Sequence, residues 1–195
     1  LAPPLPPGEE IALAISFTTE LSAPGGPGYG ILRESSRITT LAGWYPMLAP
    51  YADGWRTPPP PRTGDALLAE MSLYDVTLTV PPEYTVVATG EEMRTAQTDT
   101  QATWHIVSGP VREVAIALSD RFEHTRAVVG NTTVHYYALP ASNPRTTLGT
   151  AMQMARDAYG VYNKRFGPYP YSELDVVEAP ITIGGYEFSG IVFLD

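Results

Sequence analysis

Proline and glycine interrupt this chain so often that long regular helices have few places to form. There are 20 Pro and 17 Gly among 195 residues. Proline lacks the amide proton that a helix or ladder needs, and glycine weakens both. Many short strands joined by turns suit such a sequence. The apolar pattern agrees. Ile11, Leu13, Ile15 and Phe17 alternate with small or polar residues, which predicts a half-buried strand. Another strand is expected within 31–41, after a Gly/Pro loop over 21–30. Trp44-Tyr45-Pro46-Met47-Leu48 reads as an aromatic anchor, and Pro58-Pro59-Pro60-Pro61 as stiff polyproline. Tyr74, Val76, Leu78 and Val80 predict one strand face, and Asp75, Thr77 and Thr79 the other, with Pro81-Pro82 ending the ladder. Segments 85–88, 102–107 and 113–118 repeat the pattern between turns at Gly90, Thr98-Asp99-Thr100 and Gly109-Pro110. The expectation is an antiparallel sandwich or saddle.

The character changes near Thr125. Residues 127–129 and 134–139 flank Gly130-Asn131, which predicts a hairpin with a two-residue turn. Leu148, Met152, Ala155, Tyr159, Tyr162 and Phe166 recur in steps of three and four, the apolar stripe of a single helix. Asn143 is the expected N-cap with Pro144 at the first helical position; Lys164 and Arg165 suit the C-terminal end, and Gly167-Pro168 stops it. Short strands are expected at 174–177 and 191–194. The predicted class is mostly β with some α. It divides into a β-domain over 1–124 and a sheet-plus-helix unit over 125–195.

Charge and composition exclude several functions. A net charge of -9 argues against nucleic acid, whose phosphates need clustered Lys and Arg. No apolar run reaches the roughly 20 residues that span a bilayer, so no transmembrane segment is expected. Without cysteine there is no disulfide framework. The chain opens on Leu1 and stops on the apolar run Ile191-Val192-Phe193-Leu194-Asp195, so both ends read as cuts through a longer polypeptide.

Four groups of residues invite a chemical reading. Gly184-Gly185-Tyr186-Glu187 puts a carboxylate in a glycine-rich strand, a backbone that an extended peptide could approach and pair with. Such a carboxylate could hold an α-ammonium group by charge-assisted hydrogen bonds; a bulge carrying a solvent-exposed Glu fits the same pattern. His105, His124 and His135 lack the one-turn spacing of a zinc-binding pair and read as structural or surface residues. Glu173, Asp175 and Glu178 read as solvated or structural, because adjacent strand positions face opposite ways and no partner base accompanies them. Asn131-Thr132-Thr133 fits a glycosylation sequon, but the hairpin turn accounts for Asn131.

Taken in order, Trp44-Tyr45-Pro46, Tyr74-Asp75-Val76-Thr77-Leu78-Thr79-Val80-Pro81, Phe166-Gly167-Pro168-Tyr169-Pro170-Tyr171 and Gly184-Gly185-Tyr186-Glu187 give the chain a family likeness. It resembles the zinc-dependent membrane alanine aminopeptidases, the family of aminopeptidase N and leukotriene hydrolase, over nearly its whole length. The resemblance implies a saddle-like antiparallel β-domain followed by the opening of a thermolysin-like α+β catalytic domain. It also implies a peptide substrate with a free N-terminus, held by Gly184, Gly185, Tyr186 and Glu187. Zinc, the general base and the transition-state Tyr follow this segment in the family. The resemblance therefore assigns this segment no metal ligand and no catalytic residue, and zinc only to the intact parent. Tyr186 stands where the family usually has Met and Phe188 where Asn or Tyr is common; the Cys and Asp-Glu-Pro frequent around the aromatic anchor are missing. Two rival expectations are a non-catalytic β-sandwich binding module and an interaction scaffold derived from the peptidase fold.

Overall fold

In a computed structural model of the chain, residues 5–22, 29–35, 37–59, 68–140 and 147–195 are described. The expected Asn143 cap, Pro144, and Pro60 and Pro61 lie outside these residues. The protein is mostly β with a single helix among the described residues.

The strands run β1 (Leu32–Ser35), β2 (Ile38–Leu41), β3 (Ser72–Val80), β4 (Thr85–Ala88), β5 (Glu91–Gln97) and β6 (Ala102–Val111). They continue as β7 (Ile116–Ser119), β8 (Glu123–Val129) and β9 (Thr132–Ala138), then helix α1 (Leu148–Phe166). After the helix come β10 (Glu173–Glu178), β11 (Gly185–Glu187) and β12 (Ile191–Leu194). They form three sheets, ordered β1-β2-β7-β4, β3-β6-β5 and β11-β12-β10-β9-β8. The first two are antiparallel throughout. In the third, β10 runs parallel to both β9 and β12, while β11 and β8 pair antiparallel at its two rims.

The first sheet is the middle of the packing. Its strand β7 is buried along its whole length, so a near-continuous apolar run replaces alternation. Ile116 and Leu118 face Val80 and Ile106 of the second sheet. Ala117, with Val87 of β4, faces Tyr137, Val177, Ile191 and Phe193 of the third. The opposite face of the third sheet offers Val134, Tyr136, Ala138 and Val176 to Ala151, Met152 and Tyr159 of α1. The anchor joins these layers: Trp44 Nε1 donates to the Val114 carbonyl at 2.9 Å, and the Val114 amide donates to Tyr45 Oη at 3.2 Å.

Several expectations need correction. Ile11, Leu13 and Ile15 are not in a half-buried strand; they are 67%, 69% and 61% exposed, and no described strand pairs with them. Alternation supplies an apolar face, but burial also requires a neighbouring sheet to cover it. This segment meets the fold through Phe17, whose ring centre lies 6.4 Å from that of Trp44, and through a Thr19 hydroxyl bond to the Trp44 carbonyl. The strand expected within 31–41 is two strands of a hairpin, β1 and β2, with Arg37 at a φ of 71° beside the reversal. Helix α1 is capped by Thr147, whose hydroxyl accepts from the Thr150 amide at 3.2 Å, rather than by Asn143. Its stripe is only half used: Met152 and Tyr159 are buried, whereas Tyr162 and Phe166 are 61% and 80% exposed. Tyr162 lies on the expected apolar stripe but is not part of the core.

Candidate functional site

The short strand β11 forms one rim of the third sheet, bonded to β12 on one side and to no described strand on the other. Side chains alternate along it. Gly185 and Glu187 sit opposite Leu194 and Val192 and share their face, while Tyr186 opposes Phe193 and points into the core. There Tyr186 stacks on Phe188, with ring centres 4.8 Å apart, and lies 6.1 Å from Tyr29. Of the four predicted residues, Gly184, Gly185 and Glu187 are exposed and Tyr186 is buried. Tyr186 can thus meet a peptide only through its backbone.

Neither glycine here is demanded by a positive φ. A Cβ at Gly184 would meet nothing within 4 Å, and one at Gly185 would come 3.3 Å from Leu194 Cδ2. Their effect is to keep the rim low beside Glu187. That carboxylate borders an apolar cavity of about 630 Å³ between the sheet and α1, walled by Tyr136, Tyr159, Tyr162, Val192 and Leu194. Among the described residues no side chain hydrogen-bonds or ion-pairs with Glu187.

A second polar cluster lies on the opposite face of the sheet. Glu173 and Asp175 are two residues apart on β10 and so project the same way, towards Glu92 of β5. One carboxylate oxygen from each lies within 4.8 Å of the others. Asp175 is only 1% exposed, which removes the solvated alternative and leaves the structural one. Burial, then the charge of Glu173, pushes the Asp175 carboxyl well above its usual range. Burial also raises Glu92, with further contributions from Asp175 and Glu173. Glu178, by contrast, projects to the other face and accepts from the Tyr136 hydroxyl at 2.9 Å. Sequence reasoning missed Glu92. Its strand, Glu-Glu-Met-Arg-Thr-Ala-Gln, shows no apolar alternation because it is an exposed sheet edge.

The histidines form a stack beside this cluster. His124 Nε2 lies 3.0 Å from His135 Nδ1, and His135 Nε2 lies 3.9 Å from Glu173 Oε2. Tyr137 stacks on His124 with ring centres 4.4 Å apart. Burial, helped by the charges of His124 and Arg126, lowers His135 to about 4, so the ring is neutral near pH 7. His105 is separate, bonded to Asp75 at 2.8 Å on the surface.

These groups do not fit a peptidase zinc. The close set of three potential ligands among the described residues is all carboxylate. His124 Nε2 and His135 Nδ1 are engaged with each other, and no histidine belongs to that close set. Comparison with protein-family models and with curated proteins finds no match for this chain.

Proposed function

We propose that this chain supplies the substrate-amine grip of a zinc aminopeptidase that removes N-terminal residues from peptides. The observation that carries the reading is Glu187: an exposed carboxylate, unpaired among the described residues, on a free sheet rim beside an apolar cavity. An extended peptide adding to β11 would gain main-chain hydrogen bonds. Its α-ammonium would meet the Glu187 carboxylate, and its first side chain would be offered the apolar wall of Val192, Leu194 and Tyr162. Gripping the amine fixes which peptide bond can be presented, so binding energy becomes positioning.

The same reading assigns the early strands to a saddle-like β-domain and the third sheet with α1 to the start of a thermolysin-like unit. Zinc belongs to polypeptide beyond these residues, so no step of hydrolysis is assigned to them. The chain by itself is expected to bind no stoichiometric zinc and to cleave no peptide.

The test is Glu187→Ala in the intact enzyme, assayed on amino-acyl substrates. Loss of one charge-assisted contact costs on the order of 2–3 kcal/mol, so kcat/KM should fall roughly 30- to 160-fold. Glu187→Gln, which keeps the shape but not the charge, should lose most of that. An unchanged kcat/KM removes the assigned role and leaves the binding-module reading in its place.

A further inference from the structure

Glu92, Glu173 and Asp175 gather in a way that the amine grip does not use. They lie on the sheet face opposite Glu187 and come from strands of two different sheets. Crowding of acidic groups is common and by itself means little. What distinguishes this cluster is that two of its oxygens are both buried and unsatisfied. Among the described residues, Asp175 Oδ2 and Glu92 Oε2 have no hydrogen-bond partner, and Asp175 is 1% exposed. A buried carboxylate oxygen without a donor is costly, and native structures rarely keep one without an ion, a water or a proton to satisfy it.

We propose that these three carboxylates form a calcium-binding site at the junction of β5 and β10. Oxygen-only ligands select hard cations over zinc or copper. Coordination geometry and the cost of shedding water then select among hard cations. Ca²⁺ holds oxygens at about 2.3–2.6 Å, so two ligands of one ion can stand up to about 5 Å apart. Mg²⁺ demands near-ideal octahedral geometry and gives up its waters reluctantly, so a buried carboxylate site suits it less well. The oxygens of the cluster, within 4.8 Å of one another, fall inside the Ca²⁺ span. A cavity of about 450 Å³ lined by Gly90, Glu91, Ser108, Glu173 and Ser189 borders the cluster, and Glu173 belongs to both. Ser108 is 5% exposed and its Oγ also lacks a partner among the described residues. The bound ion would clamp the edge strand β5 to the centre of the third sheet. Its role is structural and does not depend on whether Glu187 grips an amine.

The experiment is a titration of the chelator-stripped protein with CaCl₂, read by calorimetry and by the unfolding midpoint, with Tb³⁺ as a luminescent substitute excited through tyrosine. One Ca²⁺ per chain should bind, and the midpoint should climb with the logarithm of its concentration. Mg²⁺ should do so at least tenfold less effectively. Asp175→Asn and Glu92→Gln should each weaken Ca²⁺ binding at least tenfold, whereas the exposed Glu20→Gln should not. No saturable binding at millimolar Ca²⁺, or binding equal in wild type and in Asp175→Asn, would overturn the site and assign any uptake to the general negative surface. Should both cluster variants fail to fold, the wild-type stoichiometry decides: a value other than one, or Tb³⁺ emission that Ca²⁺ cannot displace, overturns it equally.

Discussion

Glu92 on the edge strand β5 and Asp175 on the central strand β10 bring carboxylate oxygens within 4.8 Å of each other across two sheets. Without a cation, the folded protein must hold a proton there that the unfolded chain would release. Glu92 is raised from an ordinary 4.5 to about 9 by burial and by Asp175, Glu173 and Glu91. A raised pKa gives stability that is complete below the unfolded value and is lost as pH climbs through the folded one. In chelator, the unfolding midpoint should therefore fall between about pH 4.5 and pH 9. Glu92→Gln should flatten that slope and raise the midpoint at pH 8. Each 1 kcal/mol recovered would appear as roughly 2–4 °C in a domain of this size. Thermal scans across that range check it.

The histidine stack should act in the opposite sense. His135 is lowered from 6.5 to about 4, chiefly by burial. A lowered pKa gives stability that is present above the unfolded value and is lost as pH falls towards the folded one. Urea midpoints should drop between pH 6.5 and pH 4. His135→Phe keeps a ring against Tyr137 but removes the titration, and should flatten this acid limb.

Tyr159 and Thr132 tie α1 to the sheet. The Tyr159 hydroxyl donates to Thr132 Oγ1 at 2.8 Å, and Thr132 donates in turn to the Tyr171 carbonyl at 3.1 Å. Tyr159→Phe should cost about 1 kcal/mol. Thr132→Val should cost more, because it strands both the phenol and the carbonyl. The double variant should lose less than the sum. Equilibrium denaturation of all three variants measures the coupling.

Gly90 and Gly130 both have positive φ, yet they should respond differently to a methyl group. At Gly90, φ is 100° and a Cβ would lie 2.4 Å from the Val107 carbonyl oxygen. At Gly130, φ is 65° and nothing lies within 4 Å. Gly130→Ala should cost about 1–2 kcal/mol of backbone strain. Gly90→Ala adds a clash with fixed backbone and should cost at least about 2 kcal/mol more. Denaturant midpoints of the two variants, compared side by side, check the difference.

Legibility in the sequence followed the distance over which each signal acts. Alternation in β3 and the Gly130 reversal between β8 and β9 are local, and both elements could be read from their own residues. Residues 11–17 carry the same alternation, but whether a sheet covers them is decided elsewhere in the chain. For β5 the reverse holds: its residues are mostly polar, and pairing with β6 makes it a strand. The acidic cluster was half visible. Glu173 and Asp175 share a face by spacing, but nothing local places Glu92, 81 residues earlier than Glu173, against them. The carboxylate in a glycine-rich strand was readable too. Its position on a rim follows from β12 lying between β11 and β10, which is a matter of sheet order.

Because β10 is laced to parallel neighbours along both sides, the two cluster acids it carries, Glu173 and Asp175, have no freedom to drift towards solvent. Among the described strands, β5 pairs with β6 alone. When repulsion in the cluster grows, it is β5 that must give way, peeling outward from β6 before the third sheet loosens. Amide exchange should therefore quicken first along 91–97, making that ribbon the molecule's gauge of how much charge its interior is carrying.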